Sequence, residues 1–343
     1  MGYLLSFPKR PCKRGHQGRL MHPIVRTVLQ RLGLGLLTLF IVSVVIFSSL
    51  EMLPGGFAEA ILGQGATPET VAAFNHEIGI DRPATVRYFE WIGGVLTGDF
   101  GYSYAGLGGS IKRSVTDLIA PRLYNTFFLA AMTAIFAVPI SLLLGVMAAL
   151  YHNSWFDRVV NSTTLTTIAM PEFFIAYILM FFFAIKFRWF YSLSTVSEST
   201  PFLEHVSRAG LPAITLTLVI IAYIMRMTRA AIINLLSSPY IEMAQLKGVP
   251  RWKVIMHHAL PNAWAPIVTI IAFSLAYLVV GVVIVEVVYV YPGIGQLMVD
   301  SVSSRDMPVV QACALIFAAT YILLNLSADI VSIITNPRLL HPK

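Results

Sequence analysis

No charged residue occurs between Arg122 and Asp157, and five further stretches of the chain are almost as apolar. A run of that length belongs in a lipid bilayer, not in the core of a soluble domain. Leu32 to Leu50 is equally free of charge; at about 1.5 Å per residue it covers roughly 28 Å, close to the ~30 Å hydrocarbon thickness. Backbone polar groups in lipid find no water, so each run must fold as a helix. Six spans are expected, at about Leu32 to Leu50, Asn125 to Leu150, Val159 to Ile185, Gly210 to Met225, Ala263 to Val285 and Pro308 to Ala328. Pro139 is a candidate kink in the second, and Pro171 with Glu172 interrupts the third.

Charge sorts by side of these spans. The leader, residues 1–31, holds Lys9, Arg10, Lys13, Arg14, Arg19, Arg26 and Arg31 with no acid, which assigns it to the cytoplasm. It is long and precedes a full-length span, so a cleaved signal peptide is not expected. Met1-Gly2 with Ser6 fits an N-myristoylation pattern, against the plainer reading of a juxtamembrane leader. From Glu51 to Arg122 acids outnumber bases, the Thr67-Pro68-Glu69 stretch reads as a helix start, and residues 51–122 are expected to form a small folded region outside. Residues 123–335 then hold five helices, and the tail, residues 336–343, returns to the cytoplasm with Arg338 and Lys343.

With 57% hydrophobic and 12% charged residues, the expected fold is an all-α integral membrane protein of six transmembrane helices. It has an extracytoplasmic region after the first helix and a cytoplasmic insert between the fourth and fifth. The net charge of +7 is not gathered on one soluble face with interleaved aromatics, so no nucleic-acid partner is expected. Cys12 in the leader and Cys313 within an apolar run should not meet, and neither a disulfide nor a metal site is supported. No inverted repeat is visible, which argues against a two-fold secondary transporter.

The insert carries the most information. Ser238 to Pro266 reads as two short helices hinged at Gly248: Ser238 as cap, Pro239 in the first turn, Gly248 as the left-handed stop, and Pro250 opening a second helix with Arg251 and Lys253. Such a basic, bent hairpin cannot cross a bilayer. It is either an ordinary cytoplasmic loop or a surface presented to a soluble partner.

Little else suggests chemistry. A phosphate loop needs a Gly-Lys pair, and the chain has none. Adjacent His257 and His258 point to different helix faces and make a poor metal pair. Glu172 is the ionisable residue expected at membrane depth, where it either lines a path or caps the half-helix after Pro171. Arg226 and Arg229 are expected to be interfacial anchors. Glu286 and Asp329, near span ends, are expected to snorkel or form local ion pairs. Asn161-Ser162-Thr163 fits a glycosylation acceptor but falls on the cytoplasmic side.

Met243-Ala244-Gln245, Gly248 and Leu260-Pro261-Asn262 together resemble the signature loop of ABC importer permeases, closest to the dipeptide, oligopeptide and nickel permease class. Further matches fall in the family's order: Leu53-Pro54-Gly55, Gly79 to Pro83, Tyr88 to Trp91, Gly98 to Ser103, Val285 to Val288, Pro292 to Gly295, Arg305-Asp306 and Pro308 to Gln311. Departures are Gln245 in place of the usual arginine, Gly56-Phe57, Arg122-Leu123-Tyr124, and Asn336-Pro337-Arg338.

The resemblance implies a permease subunit in a bacterial inner membrane with both termini cytoplasmic. It implies a coupling insert, residues 238–262, whose Tyr240, Glu242, Met243, Ala244, Gln245, Lys247, Gly248 and Arg251 meet an ATPase, and a path near Pro171 and Glu172. Implied partners are a second homologous permease, two ABC ATPase subunits or domains, an extracytoplasmic substrate-binding protein and the bilayer. No cofactor is expected in this chain, which would not itself be an enzyme; ATP and Mg would sit on the ATPases. Di- or oligopeptides are the implied cargo. Nickel complexes or oligosaccharides carried by the same machine, and an ATP-independent channel or ion-coupled carrier, are the alternatives.

Overall fold

The computed structural model describes residues 23–52, 58, 62–106 and 113–335. The leader with Cys12 and Met1-Gly2, the Pro54-Gly55 turn, Lys112 and the tail from Asn336 lie outside the described residues. The helices are α1 Pro23–Glu51, α2 Pro68–Ile78, α3 Ala84–Thr97, α4 Val115–Leu150 and α5 Trp155–Ala169. After these come α6 Glu172–Leu179, α7 Phe202–Leu236, α8 Pro239–Leu246, α9 Arg251–Lys253, α10 Leu260–Tyr289, α11 Ile294–Ser303 and α12 Met307–Thr335. Two π-helical stretches extend them, Met180–Lys186 after α6 and Val254–Ala259 between α9 and α10. Among the described residues there is no strand, only the isolated bridge of Tyr102 with Ser114. The expected all-α membrane fold is what the chain adopts.

Among the described residues five helices are long and apolar enough to cross a membrane, or up to seven if each of two bent pairs is one span. The boundaries differ from those read off the sequence. The 36-residue α4 starts at Val115 and continues unbroken through Pro121 and Pro139. The 35-residue α7 runs through Arg226 and Arg229 to Leu236 and is about 52 Å long, so it must project beyond a ~30 Å hydrocarbon layer. Charge marks where lipid ends, not where a helix ends. The expected third span is sharply broken: α5 and the α6 stretch meet at 110°. Pro171 takes extended backbone there (ψ 141°) and lacks an N–H for helix continuity.

The bundle is organised on α7, where 67% of the apolar window is buried, against 11% in α1. The α4–α7 contact is made by a column of small residues. Thr133, Ala137, Ser141, Gly145 and Ala149 recur every four residues and are all buried. A Cβ on Gly145 would stand 2.8 Å from Thr228 Cβ and 2.9 Å from the Met225 carbonyl oxygen, so these backbones meet as small-residue membrane interfaces do. α1 presents Leu34, Leu36, Leu37, Phe40 and Ile41 outward, as a lipid-facing helix should.

One end of the bundle carries the insert; the other, at the start of α4, α7 and α12, carries the region after α1. There Thr67 caps α2 reciprocally with Thr70, as the Thr67-Pro68 signal predicts. On α3, Tyr88 bonds Ser43 Oγ at 2.8 Å and packs edge-on to Phe47, fixing the region to α1. Asp306 fixes it to α12 by accepting from Ser103 Oγ and from the Tyr104 amide at 3.0 Å. Burial pushes the Tyr104 hydroxyl above its ordinary pKa, so it stays neutral.

Candidate functional site

In the insert, Ser238 and Pro239 stand where the sequence places them, at the N-cap and first turn of α8. The Ser238 hydroxyl bonds back to the Leu235 carbonyl and leaves the N-cap bond unmade. Gly248 takes φ +77°, the left-handed geometry, and α8 is closed by Gly248 N–H to Gln245 O at 2.9 Å and Val249 N–H to Ala244 O at 3.2 Å. Pro250 is the N-cap of α9, not a residue of its first turn. The second helix of the hairpin is not separate: α9 passes through the π-helical stretch into α10 without a break. The π geometry lies immediately before Pro261, which has no N–H to give to the preceding turn; Asn262 Nδ2 bonds the His258 carbonyl at 2.7 Å instead.

The hairpin has two faces. Ile241, fully buried, and half-buried Ala244 sit against Ile232, Val254, Ile255, Ala259 and Ala263. Tyr240, Glu242, Met243, Gln245, Lys247, Gly248 and Arg251 face outward. Ala244 therefore anchors more than it presents. Two outward residues did not stand out in sequence: Leu246, 76% exposed, and Trp252, 51% exposed. The ring of Trp252 carries Lys253 Nζ at 5.7 Å from its centroid. Tyr240, Met243, Leu246 and Trp252 thus form an exposed apolar set among Lys247, Arg251 and Lys253 that no other described helix covers.

At the break between α5 and α6, Glu172 opens α6. Its Oε1 accepts from Tyr277 Oη at 2.8 Å, while Oε2 is buried without a hydrogen-bond partner. The carboxylate thus reaches across to α10, close to Gly281, where a Cβ would lie 3.4 Å from Oε2.

Two expectations are corrected. Glu286 does not snorkel: it is fully buried and accepts from Thr126 Oγ1 at 2.6 Å, Gly295 N–H at 2.8 Å and Gln296 N–H at 3.2 Å. These bonds fold α11 back against α10 where an outer loop was expected, with a 75° bend between them. Gly293 is obligatory there, because a Cβ would fall 1.9 Å from Glu286 Oε1. Arg229 is no interfacial anchor; it forks onto buried Asp157 with Nε–Oδ1 2.6 Å and Nη2–Oδ2 2.8 Å, tying α7 to the start of α5. Asp329 does form the local ion pair expected of it, with Arg31 at 2.9 Å. His257 and His258 are both exposed, and among the described residues no three His, Cys, Asp or Glu side chains converge as a metal site would need.

Known proteins place this geometry. The family described as "Binding-protein-dependent transport system inner membrane component" matches residues 141–341, and its companion, "Binding-prot-dependent transport system membrane comp, N-term", matches residues 24–130. The chain is 34% identical over 316 residues to the "Probable peptide ABC transporter permease protein y4tP" of Sinorhizobium fredii, covering 91% of this chain and 98% of that protein. It is 36% identical over 311 residues to the "Glutathione transport system permease protein GsiC" of Salmonella typhi, covering 90% and 97%. The Escherichia coli K12 protein of the same name is 35% identical over the same coverage. A solved chain from the "MetNI methionine ABC transporter" in inward-facing conformations shares the fold, with a TM-score of 0.50 at 16% identity over 64% of this chain and 96% of that one. Matched over most of its length, the chain belongs to the family of inner-membrane components of binding-protein-dependent transport systems, and is a multi-pass permease subunit of an ABC importer.

Proposed function

We propose that this permease forms part of an ATP-driven path for di- or oligopeptides, and that its insert, residues 238–262, is the coupling element. The observation that carries the reading is the two-faced hairpin: one face is locked into the bundle by Ile241, the other offers Tyr240, Met243, Leu246 and Trp252 among cations. A partner ATPase that seats this face moves α10 directly, since α9 and α10 are continuous. Nucleotide then works by population shift: ATP and Mg on two ATPase subunits must bind one state of the bundle more tightly than the other. The second permease completes the path, and an extracytoplasmic binding protein delivers cargo to the end remote from the insert. Six crossings with both termini on the insert side fit the antiparallel pairing of α1 with α12 at Arg31 and Asp329.

Glu172 and Pro171 line the path in this proposal. A carboxylate with one uncommitted oxygen at a helix break is suited to meeting a polar solute. Peptide cargo is supported by the names of relatives matched almost end to end. The test is co-purification of the ATPases with a Met243→Asp/Leu246→Asp variant, together with ATP-dependent uptake of a labelled dipeptide into vesicles. Wild type should retain the ATPases and take up peptide only with ATP; the variant should lose both while still inserting. A variant that keeps its ATPases and its uptake sinks the coupling assignment.

A further inference from the structure

The break between α5 and α6 brings together side chains from three helices that pack against one another. Glu172 opens α6, Tyr223 lies on α7 and Tyr277 on α10. Tyr277 Oη donates to Glu172 Oε1 at 2.8 Å, and the Tyr223 and Tyr277 ring centroids stand 6.1 Å apart with a 53° tilt. Gly281, one turn beyond Tyr277, leaves the room: a Cβ there would meet Glu172 Oε2 at 3.4 Å and the Tyr277 ring at 3.5 Å.

The charge of this cluster is not balanced within the chain. Among the described residues Glu172 forms no ion pair, and its carboxylate accepts from Tyr277 alone. No Lys or Arg of the described residues stands over either tyrosine ring, not even the exposed Arg226 one turn beyond Tyr223. A carboxylate at membrane depth is costly unless a cation or water balances it.

The surface open to such a cation is aromatic. Glu172 Oε2 is itself buried, whereas Tyr223 is 41% and Tyr277 44% exposed. A ring face attracts a cation through its quadrupole. A phenol that donates to a carboxylate is polarised toward greater electron density, which deepens the attraction. Glu172 therefore acts through Tyr277, from behind the ring.

We propose that Tyr223 and Tyr277 form a subsite for a protonated amine of the cargo, with Glu172 as the positioning residue that supplies the negative field. This rests on the reading of the break as part of the path, and deepens it by naming what the path selects: the amino end of a peptide.

The experiment measures binding of dialanine and of N-acetyldialanine, which lacks the cation, to the purified complete transporter without its binding protein, alongside ATP-driven uptake with it. Wild type should bind dialanine roughly threefold to thirtyfold more tightly, the span of one cation–ring contact. Tetramethylammonium chloride should displace the dipeptide where sodium chloride of equal ionic strength does not. Glu172→Gln, Tyr223→Leu and Tyr277→Leu should each bring the ratio toward one, and Tyr277→Phe, which keeps the ring but loses the bond to Glu172, should fall between. The ratio is internal to each preparation; if the leucine variants fail to assemble, the Gln and Phe variants make the same comparison. No dialanine binding to wild type, or no preference for the amine, overturns the proposal. So does a preference unchanged in Glu172→Gln and Tyr277→Phe, the result expected if the second permease covers this face. Wild type that prefers the amine yet takes up no dipeptide with ATP would instead overturn the functional reading and leave the subsite standing.

Discussion

Thr126 of α4 and Glu286 of α10 are joined by a 2.6 Å hydrogen bond at a point where the glutamate has no solvent exposure. The same carboxylate holds the Gly295 and Gln296 amides, so three donors from two elements depend on one side chain. Glu286→Gln keeps the shape but turns one acceptor into a donor facing donors. A loss of about 1–3 kcal/mol is expected, the usual cost of stranding a buried polar group. Thermal unfolding in detergent should show it, with Thr126→Val milder. Equal midpoints for wild type and Glu286→Gln would contradict the clamp.

Asp157, buried, and Arg229, half-buried, form the other tie, where α5 leaves the α7 surface. Removing one partner strands the other charge; with Asp157 buried and Arg229 only half-buried, a cost of about 1–3 kcal/mol is expected, below the full buried-pair figure. Asp157→Asn and Arg229→Met should each destabilise strongly, and the double variant should lose much less than their sum. Additive losses in the cycle would show that the two side chains do not act as a unit.

Gly248 stands in open space, with nothing within 4 Å of where a Cβ would be, yet at φ +77°. Any cost of substitution is therefore backbone cost. Gly248→Val should strain the turn by roughly 1–2 kcal/mol, shift the face that carries Leu246, and reduce uptake per ATP hydrolysed in reconstituted vesicles. Gly248→Asn, which tolerates the left-handed region, should stay close to wild type. If Val and Asn variants couple equally well, the turn is not what sets the surface.

For Glu172, the alternatives of path and cap separate cleanly. Its carboxylate takes a hydrogen bond from Tyr277 and leaves Oε2 unpaired. Glu172→Gln should lower dipeptide uptake several-fold while the yield of assembled complex stays within about twofold, a surface-like cost. Uptake and assembly falling in parallel would return the residue to a structural role.

Much of this was readable before any coordinates. Charge-free runs give the helices because lipid leaves the backbone no alternative, and Gly248 and Thr67 declare local turns through chemistry that acts within four residues. What stayed hidden depends on pairs distant in sequence. Arg229 looks like an anchor until Asp157, 72 residues away, is brought beside it. Glu286 looks like a span-end charge because the donors that bury it, Gly295 and Gln296, sit on a helix too short and too polar to read as one. Leu246 and Trp252 do not stand out in sequence, because periodicity alone does not tell a face turned to the bundle from one turned away.

The continuity of α9 with α10 has a mechanical consequence. From Trp252 to Glu286 the chain never leaves helical geometry, a distance of about 50 Å at 1.5 Å per residue. A displacement at the tryptophan cannot be absorbed by slack in a loop, because none intervenes; it must appear as a tilt of the rod or as a break in it. With Glu286 gripping α11 at the opposite tip, a displacement of the rod at one end would be carried to α11 at the other, and Pro261 and Pro266 mark where that rod is softest.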